Sequence, residues 1–483
     1  MVDFSQTIWY HFVCFDYKEG LMFSKEMFAN RINLDNPWWD SGHVEQEYTK
    51  ALPRFFLEKF YRYLTLDGVR RAILLMGPRR VGKTWLIQHA IAKLLERECV
   101  PAKNILFLPI DVPVYHGCEL EELVLEACKI SGASPTADKL YVFFDEIQYK
   151  KGWETSLKTL TDSYPNIRFA ASGSAASVLA TGSRESGAGR FTDLKLSPLS
   201  FYEYIKMIGQ DERLFESMEL ANRHFVEYVN FGGYPELVAN QSVREDSRQF
   251  IQRDIVDKVL LRDLPSLYHI DDVRDLQAFF SYIAFHSGTV QTYESLSQSS
   301  GLSKHTILNL LQYLEEAFLI MRHDRVDINA LTFKRAMQFK LYLTNPSLRA
   351  AMFLPVKPGD EPHFGHVVET AISAQLGIGE DRYLWKYANW RTGKEQRELD
   401  FVRINAGTQR PESAMEIKWS DGPYDHPAEI KYAVAFARNN GLKTLTVTSR
   451  SQKGVKHMDD VELLFVPTAR FAYDLGKGED SAK

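Results

Sequence analysis

A phosphate-loop pattern is the part of the sequence with the clearest chemistry. Eight residues fit G-x-x-x-x-G-K-[ST], namely Gly77-Pro78-Arg79-Arg80-Val81-Gly82-Lys83-Thr84. The two glycines allow a tight turn in which backbone N–H groups and a helix N-terminus face a polyphosphate. Lys83 can reach the β- and γ-phosphates, and Thr84 can place its hydroxyl on Mg²⁺. A chance glycine-rich loop is the alternative, but the pattern favours a nucleotide-binding protein.

Two adjacent carboxylates, Asp145 and Glu146, follow the apolar run from Leu140 to Phe144. Asp145 is suited to hold the hydration shell of Mg²⁺, and Glu146 is suited to orient or deprotonate an attacking water. A solvated turn is the simpler interpretation of such a pair. Their position downstream of a phosphate loop favours the catalytic interpretation.

Two further side chains are candidates for the same site. Ser172 follows the strand-like run 167–171 and could sense the γ-phosphate or the attacking water, although a tight turn explains Gly and Ser there equally well. Arg190 follows the polar, glycine-rich stretch 183–189 and is a candidate arginine finger for transition-state charge, acting in its own subunit or in a neighbour. A surface ion pair is the rival interpretation for Arg190.

Alternating strands and helices must position these groups. Ile73 to Met76 reads as a strand before the loop, and apolar residues with helical period follow it, namely Leu86, Ile87, Ala90, Ile91, Leu94 and Leu95. A second strand at 105–110 and a helix at 119–130 continue the alternation, which predicts a parallel sheet of the α/β class. Ligands of such sheets lie beyond the carboxyl ends of the strands, where the two carboxylates are expected.

Composition narrows the class of protein. The chain has 483 residues, so two or three domains are expected. Its formal net charge of −5 argues against a uniformly basic nucleic-acid coat but leaves a local basic groove open. Its four cysteines lack metal-type pair spacing and favour a reducing compartment. No apolar run is long enough for a bilayer and the N-terminus lacks a basic signal-peptide head, so a cytoplasmic protein without membrane contact is predicted.

The ordered motifs resemble those of a family of prokaryotic AAA+-type ATPases with a poorly characterised C-terminal domain. The resemblance rests on the phosphate loop, on Asp145-Glu146-Ile147-Gln148, and on Gly189-Arg190-Phe191 followed by Leu196-Ser197-Pro198-Leu199-Ser200-Phe201. Asn36-Pro37-Trp38-Trp39 and Gly232-Gly233-Tyr234-Pro235-Glu236 also fit that family. The resemblance implies binding and hydrolysis of ATP with Mg²⁺. A homo-oligomer formed through the ATPase domain is a further expectation.

The middle of the chain has the pattern of two helices joined by a short glycine turn, at 293–299 and 304–315. The run 319–326 could supply the hairpin of a winged helix. Lys304, His305 and Asn309 on the second helix could face a DNA groove. Because the same face also has acidic residues, a packing module remains the alternative.

A second constellation lies in the C-terminal third. Glu369 is placed on a helix, Asp400 on a strand within 398–402, and Glu416 and Lys418 on one face of a strand at 413–418. This order resembles the core of the PD-(D/E)xK nucleases. The resemblance implies that the three carboxylates hold Mg²⁺ or Mn²⁺ and that the lysine positions or activates water. A degenerate, DNA-binding or structural remnant is the alternative.

Two negative observations accompany this constellation. Asn345 stands where members of the ATPase family commonly have an acid, which puts any role of that acid in doubt. The histidines do not pair at metal-ligand spacing, so no zinc site is predicted.

We therefore predict four segments: a helical lead-in at 1–66, a P-loop ATPase domain at 67–210, a helical and winged-helix-like domain at 211–335, and a nuclease-like α/β domain at 336–483. The predicted function is a Mg²⁺-dependent ATPase coupled to a nuclease-like domain that acts on nucleic acid, with DNA favoured. The alternative is an ATP-controlled switch or DNA-binding regulator that does not cut.

Overall fold

The computed structural model describes residues 12–15, 22–174, 189–268, 270, 272–330, 338–377 and 383–481. The chain divides into two compact units between Leu196 and Ser197. The predicted segments 211–335 and 336–483 both lie in the second unit.

The first unit is built on five parallel strands, as the alternating pattern predicted. A short antiparallel pair precedes them, β1 (Phe12–Phe15) and β2 (Met22–Ser24). The sheet strands are β3 (Ala72–Gly77), β4 (Ile105–Pro109), β5 (Leu140–Asp145), β6 (Ile167–Ser174) and β7 (Phe191–Lys195). Their order is β4-β5-β6-β3-β7. Every residue of β3 and β5 is buried, because helices cover both faces of a parallel sheet.

The helices of the first unit belong to two groups, those of the lead-in before β3 and those between the strands of the sheet. Those of the lead-in are Lys25–Asp35, Trp38–Ser41, Gln46–Lys50 and Phe56–Thr65, and those between the strands are Lys83–Glu96, Leu120–Ser131 and Trp153–Ser163. The side chain of Asn36 pairs with the backbone of Phe107 on edge strand β4, at 3.0 Å for the donated bond and 2.7 Å for the accepted one. The indoles of Trp38 and Trp39 both donate to the carbonyl of Ile105, at 3.1 and 2.9 Å. The motif Asn36 to Trp39 therefore covers the sheet edge.

The second unit contains one nine-stranded sheet. Its strands are β8 (Val290–Thr292), β9 (Ile320–Val326), β10 (Gln338–Leu343), β11 (Trp385–Thr392), β12 (Glu395–Ile404), β13 (Pro411–Glu416), β14 (Thr444–Ser449), β15 (Gly454–Met458) and β16 (Val461–Pro467). The order is β15-β16-β14-β13-β12-β11-β9-β10-β8. A parallel pairing of β9 with β11 joins the strands of the middle region to those of the C-terminal third. The sheet therefore contains strands from both of the last two predicted segments.

Helices of the second unit pack against this sheet and against one another. The longer ones are Phe201–Met207, Met218–Phe231, Val273–Phe285, Tyr293–Ser300, Lys304–Glu316, Ser347–Met352, His363–Leu376, Lys431–Asn439 and Thr468–Ser481, and π-helical turns occupy Phe250–Asp257 and Val259–Asp263. The run 319–326, predicted to supply a hairpin, instead forms the single strand β9, which pairs antiparallel with β10. With β8 and the helices Tyr293–Ser300 and Lys304–Glu316, β9 and β10 give the order strand, helix, helix, strand, strand.

The chain after His363 has the order helix, three strands, helix, strand. β11, β12 and β13 are neighbours in antiparallel pairs, and β14 then pairs with β13 in parallel after the helix Lys431–Asn439. The strand predicted at 413–418 ends at Glu416, so Lys418 lies two residues beyond it.

Two further expectations concern the environment of the protein. In the described ranges, no helix is long and apolar enough to cross a membrane. Cys99 and Cys128 are free, whereas Cys118 is disulfide-bonded. The cytoplasmic location stays a prediction.

Candidate functional sites

The phosphate loop lies at the carboxyl end of β3, where the parallel sheet predicts a ligand. Gly77 has no room for a side chain, because a Cβ atom there would lie 2.4 Å from the carbonyl oxygen of Leu196. Gly82 caps the helix Lys83–Glu96 with φ of 96°, a left-handed conformation that favours glycine. Both glycines are therefore required by the backbone of the loop.

Lys83 and Thr84, the first residues of that helix, form hydrogen bonds with different partners. The buried ammonium of Lys83 donates to the carbonyls of Gly77 and Pro78, at 3.2 and 3.1 Å. The hydroxyl of Thr84 donates to Oδ2 of Asp145 at 2.6 Å. The structure thus brings together the two predicted metal-side residues, which are 61 positions apart in the chain.

Asp145 is buried, and its environment is polar. Its Oδ1 accepts a hydrogen bond from the hydroxyl of Ser172, whose oxygen also accepts from the backbone N–H of Glu146 at 3.2 Å. Burial and the neighbouring negative charge of Glu146 raise the pKa of Asp145 to about 6. Ser172 lies within β6 and not in a tight turn, so its contacts give it a positioning role beside the two acids.

Glu146 is held in an uncommon backbone conformation. Its φ and ψ are 52° and 47°, in the left-handed region that few residues other than glycine adopt. The side-chain amide of Gln148 donates to Oε2 of Glu146, while its Oε1 accepts from the backbone N–H of Ser174 at 3.3 Å. Gln148 therefore links the candidate catalytic carboxylate to the end of β6.

Two residues near this site had no role in the sequence interpretation. Asp111 follows β4, and burial together with the charge of Glu146 raises its pKa, so a third carboxylate lies close to the pair. Arg54 of the lead-in is buried and donates to the carbonyl of Val81 inside the phosphate loop at 2.7 Å. No local sequence pattern predicts the contact of Arg54 with the loop. By contrast, the position of Gln148 two residues after Glu146 could have predicted their contact.

Arg190 is placed away from the phosphate loop. The backbone N–H of Ala72, at the start of β3, donates to the carbonyl of Arg190 at 2.9 Å. The loop follows the other end of β3, about 16 Å along the strand at roughly 3.3 Å per residue. The guanidinium forms an exposed ion pair with Asp162 at 2.6 Å. These contacts disfavour a finger role for Arg190 in its own subunit, and a role in a neighbouring subunit stays a prediction. The glycine-rich stretch before it, at 183–188, lies outside the described residues.

The four predicted residues of the C-terminal constellation belong to one cluster, in which the three acids are buried and Lys418 is half-buried. The register of β12 and β13 brings Asp400 beside Glu416, and Oδ2 of Asp400 accepts from the backbone N–H of Ile417 at 2.9 Å. Oε1 of Glu416 accepts from the ammonium of Lys418 at 2.6 Å. Glu369, on the helix His363–Leu376, contributes the remaining acid.

Side chains that the sequence interpretation missed complete this cluster. Lys340 on β10 donates to Oε1 of Glu369 and contacts Oε1 of Glu398, both at 2.6 Å, and it lies 3.5 Å from Oδ1 of Asp400. The hydroxyl of Tyr342 also donates to Glu369, and that of Tyr432 donates to Glu416 at 2.6 Å. The only signal for Lys340 and Tyr342 was their common face on an alternating strand.

Burial and neighbouring charges together set the pKa values of the cluster. Burial and nearby carboxylates raise the pKa of Glu369 to about 8 and that of Glu416 to about 7. Burial alone would lower the pKa of Lys340, but the surrounding carboxylates outweigh it and hold that pKa well above its usual value. Among the described residues, no group of three or more His, Cys, Asp or Glu side chains has the arrangement of a metal site. The Mg²⁺ or Mn²⁺ predicted for the acid triad stays a prediction.

Family comparisons match two parts of the chain. The model of a family described as an AAA domain matches residues 69–205. The matched residues include the phosphate loop and strands β3 to β7 and extend past Leu196, so this part of the chain is similar to an AAA-type ATPase domain. A domain of unknown function, DUF8612, matches residues 222–358 and therefore lies within the second unit.

Relatives in two organisms have no established role. An uncharacterised protein of Haemophilus influenzae is 24% identical over 303 residues, which cover 61% of this chain and 71% of the relative. The uncharacterised protein MJ1637 of Methanocaldococcus jannaschii is 27% identical over 308 residues, which cover 58% of this chain and 63% of the relative.

Two solved structures are distant neighbours. The Walker-type ATPase PABY2304 of Pyrococcus abyssi is 14% identical with a TM-score of 0.39, covering 64% of this chain and 97% of its own. PCH-2 of C. elegans is 14% identical with a TM-score of 0.23, covering 36% of this chain and 49% of its own.

The donor set of the AAA domain fits ATP with Mg²⁺. The hydroxyl of Thr84 and the carboxylate of Asp145 are hard oxygen ligands, which Mg²⁺ prefers together with phosphate oxygens and water. When bound, Mg²⁺ neutralises charge on the β- and γ-phosphates. Lys83 is placed to exchange its two loop carbonyls for phosphate oxygens, and Glu146 is held by Gln148 where an attacking water could be oriented.

Proposed function

We propose that the AAA domain hydrolyses ATP with Mg²⁺ and that this cycle controls a second unit acting on nucleic acid. The observation that carries the first part is the hydrogen bond of 2.6 Å between Thr84 and Asp145. It joins the phosphate loop to the carboxylate at the end of β5, and Glu146 follows directly in the chain. This is the set of groups that phosphoryl transfer to water requires.

Replacing Lys83 with alanine tests the nucleotide site. The variant is expected to lose most ATP binding, because the phosphates lose a buried cation within hydrogen-bonding reach of the loop. Binding of a fluorescent ATP analogue measures the effect, and Lys93→Ala on the same helix is the matched control. Equal affinity of Lys83→Ala and the unaltered protein would contradict the proposed site.

Action on nucleic acid is supported by the middle region of the second unit. Lys304 and His305 are exposed on the second of two consecutive helices, and three strands flank these helices. A helix presented in this way suits a DNA major groove. The Lys304 ammonium is within 3.0 Å of Glu294, so its charge is partly balanced. Fluorescence anisotropy with labelled DNA and RNA, at two salt concentrations, tests this part of the proposal.

We include a homo-oligomer in the proposal. Arg190 lies far from the phosphate loop of its own chain, so a role as an arginine finger would require the nucleotide site of a neighbouring subunit. If Arg190 has that role, Arg190→Ala is expected to lower ATP turnover by roughly 10³-fold or more with little change in affinity. Turnover per subunit should also fall on dilution. Asp162→Ala, which removes only the ion-pair partner, is the control. If Arg190→Ala is fully active and its rate per subunit does not change on dilution, the finger role is wrong. The ion pair with Asp162 would then be the only role left for Arg190.

Metal-dependent cleavage of nucleic acid is a second candidate function. It is supported by the clustering of Glu369, Asp400, Glu416 and Lys418 on a helix, β12 and the end of β13. The competing candidate is a switch that binds nucleic acid without cutting it, and it is supported by the ammonium of Lys340 among the same acids. Incubation with labelled DNA and RNA, with Mg²⁺ or Mn²⁺, distinguishes the two.

A further inference from the structure

Lys340 has an unusual position for a lysine. Its side chain is 1% exposed, and its ammonium lies among three carboxylates that come from a helix and from β12. Lysine is rarely buried to this degree unless paired. Lys340 itself comes from β10, outside the run of helix and strands that contributes the acids.

One oxygen of each predicted metal-binding carboxylate already accepts hydrogen bonds from the protein. Oε1 of Glu369 accepts from both Lys340 and Tyr342, and Oδ2 of Asp400 accepts from the backbone at Ile417. Oε1 of Glu416 accepts from a lysine and a tyrosine. Among the described residues, Oε2 of Glu416 is the carboxylate oxygen of this cluster that is buried without a partner.

We infer that the Lys340 ammonium is the resident cation of this cluster and that it excludes a divalent metal ion in the conformation described. A divalent ion needs several oxygens at roughly 2.0–2.6 Å. An ion held by Glu369 and Asp400 would lie within a few ångströms of the ammonium, where two like charges repel strongly because little water screens them. Metal and ammonium therefore compete for the same two carboxylates.

The inference concerns metal binding in the conformation described; if it is right, metal-dependent cleavage by this cluster would require the Lys340 ammonium to leave its position. If it is right, removal of the ammonium should create a metal site. If Lys340 only fills a structural role, its removal should lower stability without any gain in metal binding. The two roles therefore give opposite results for the same variant.

The experiment measures Mn²⁺ binding to the nucleotide-free full chain by electron paramagnetic resonance. The unaltered protein is expected to bind no more Mn²⁺ than Asp400→Asn. Lys340→Met is expected to gain one Mn²⁺ site. Its affinity at this cluster should be roughly tenfold or more above that of the unaltered protein, and each factor of ten corresponds to about 1.4 kcal/mol. Adding Asp400→Asn to Lys340→Met should remove that site.

Two variants control for charge and for folding. Lys386→Met removes a lysine of β11 that pairs with Asp324 at 3.3 Å, and it should not gain Mn²⁺ binding. Mn²⁺ should raise the melting temperature of Lys340→Met but not that of the double variant, since only a folded site binds the ion. A folded Lys340→Met without the new site overturns the inference.

The comparison of unaltered protein with Asp400→Asn decides the matter if Lys340→Met does not fold. Equal Mn²⁺ binding by those two proteins supports exclusion by the ammonium. Mn²⁺ binding that depends on Asp400 in the unaltered protein overturns it. Neither outcome depends on a cleavage assay, so failure of the nuclease candidate is seen separately.

Discussion

Replacing Glu146 with glutamine is expected to lower ATP turnover by roughly 10²–10⁴-fold while ATP remains bound. The amide cannot take a proton from the attacking water, but Lys83, Thr84 and Asp145 keep their contacts with the loop and the metal side of the site. Steady-state phosphate release measures turnover, and equilibrium binding of an ATP analogue measures affinity.

The control for this variant is Glu121→Gln, which makes the same chemical change at an exposed carboxylate that accepts from Tyr164. Its turnover should equal that of the unaltered protein. If Glu146→Gln also hydrolyses ATP at the normal rate, Glu146 does not act on the water. Asp111, whose pKa is raised by burial beside Glu146, would then be the next carboxylate to replace.

The second large effect is expected in the C-terminal cluster. If the second unit cuts nucleic acid, Asp400→Asn and Lys418→Ala should each abolish strand cleavage and leave ATP hydrolysis unchanged. Asp400→Asn loses a carboxylate that a metal would need, so excess Mn²⁺ should restore part of its activity. Lys418→Ala loses a group that positions water, so metal should not restore it.

Asp474→Asn is the control, because Asp474 is exposed and pairs with Arg470 at 2.8 Å on the last helix. Cleavage should be normal in that variant. Cleavage that persists in both Asp400→Asn and Lys418→Ala, on highly purified protein, would assign the activity elsewhere and leave the switch as the function. Repeating the assay with and without ATP tests whether the AAA domain gates cutting.

The sequence by itself determined the local units of this protein. Strand, glycine loop and helix around Lys83 could be predicted because apolar period, turn residues and the phosphate-loop pattern all lie within one short segment. The carboxylates after β5 could be predicted for the same reason, as could their meeting at the carboxyl edge of a parallel sheet. The strands that contain Asp400 and Glu416 could also be predicted, because polar and apolar residues alternate along them. The two strands are antiparallel neighbours joined by a short connection, so their pairing is local as well.

Only the tertiary structure decided which distant residues meet. Lys340 is 29 positions from Glu369 and 60 from Asp400, and its strand reaches them through the pairing of β9 with β11. Arg54 reaches the phosphate loop from the lead-in, whereas Arg190 lies at the amino end of the sheet despite its position after a flexible-looking sequence. Periodicity shows which face of an element is buried, but strand order and register decide what that face contacts. The charge state of the C-terminal cluster, and hence its access to metal, is therefore a property of the sheet topology.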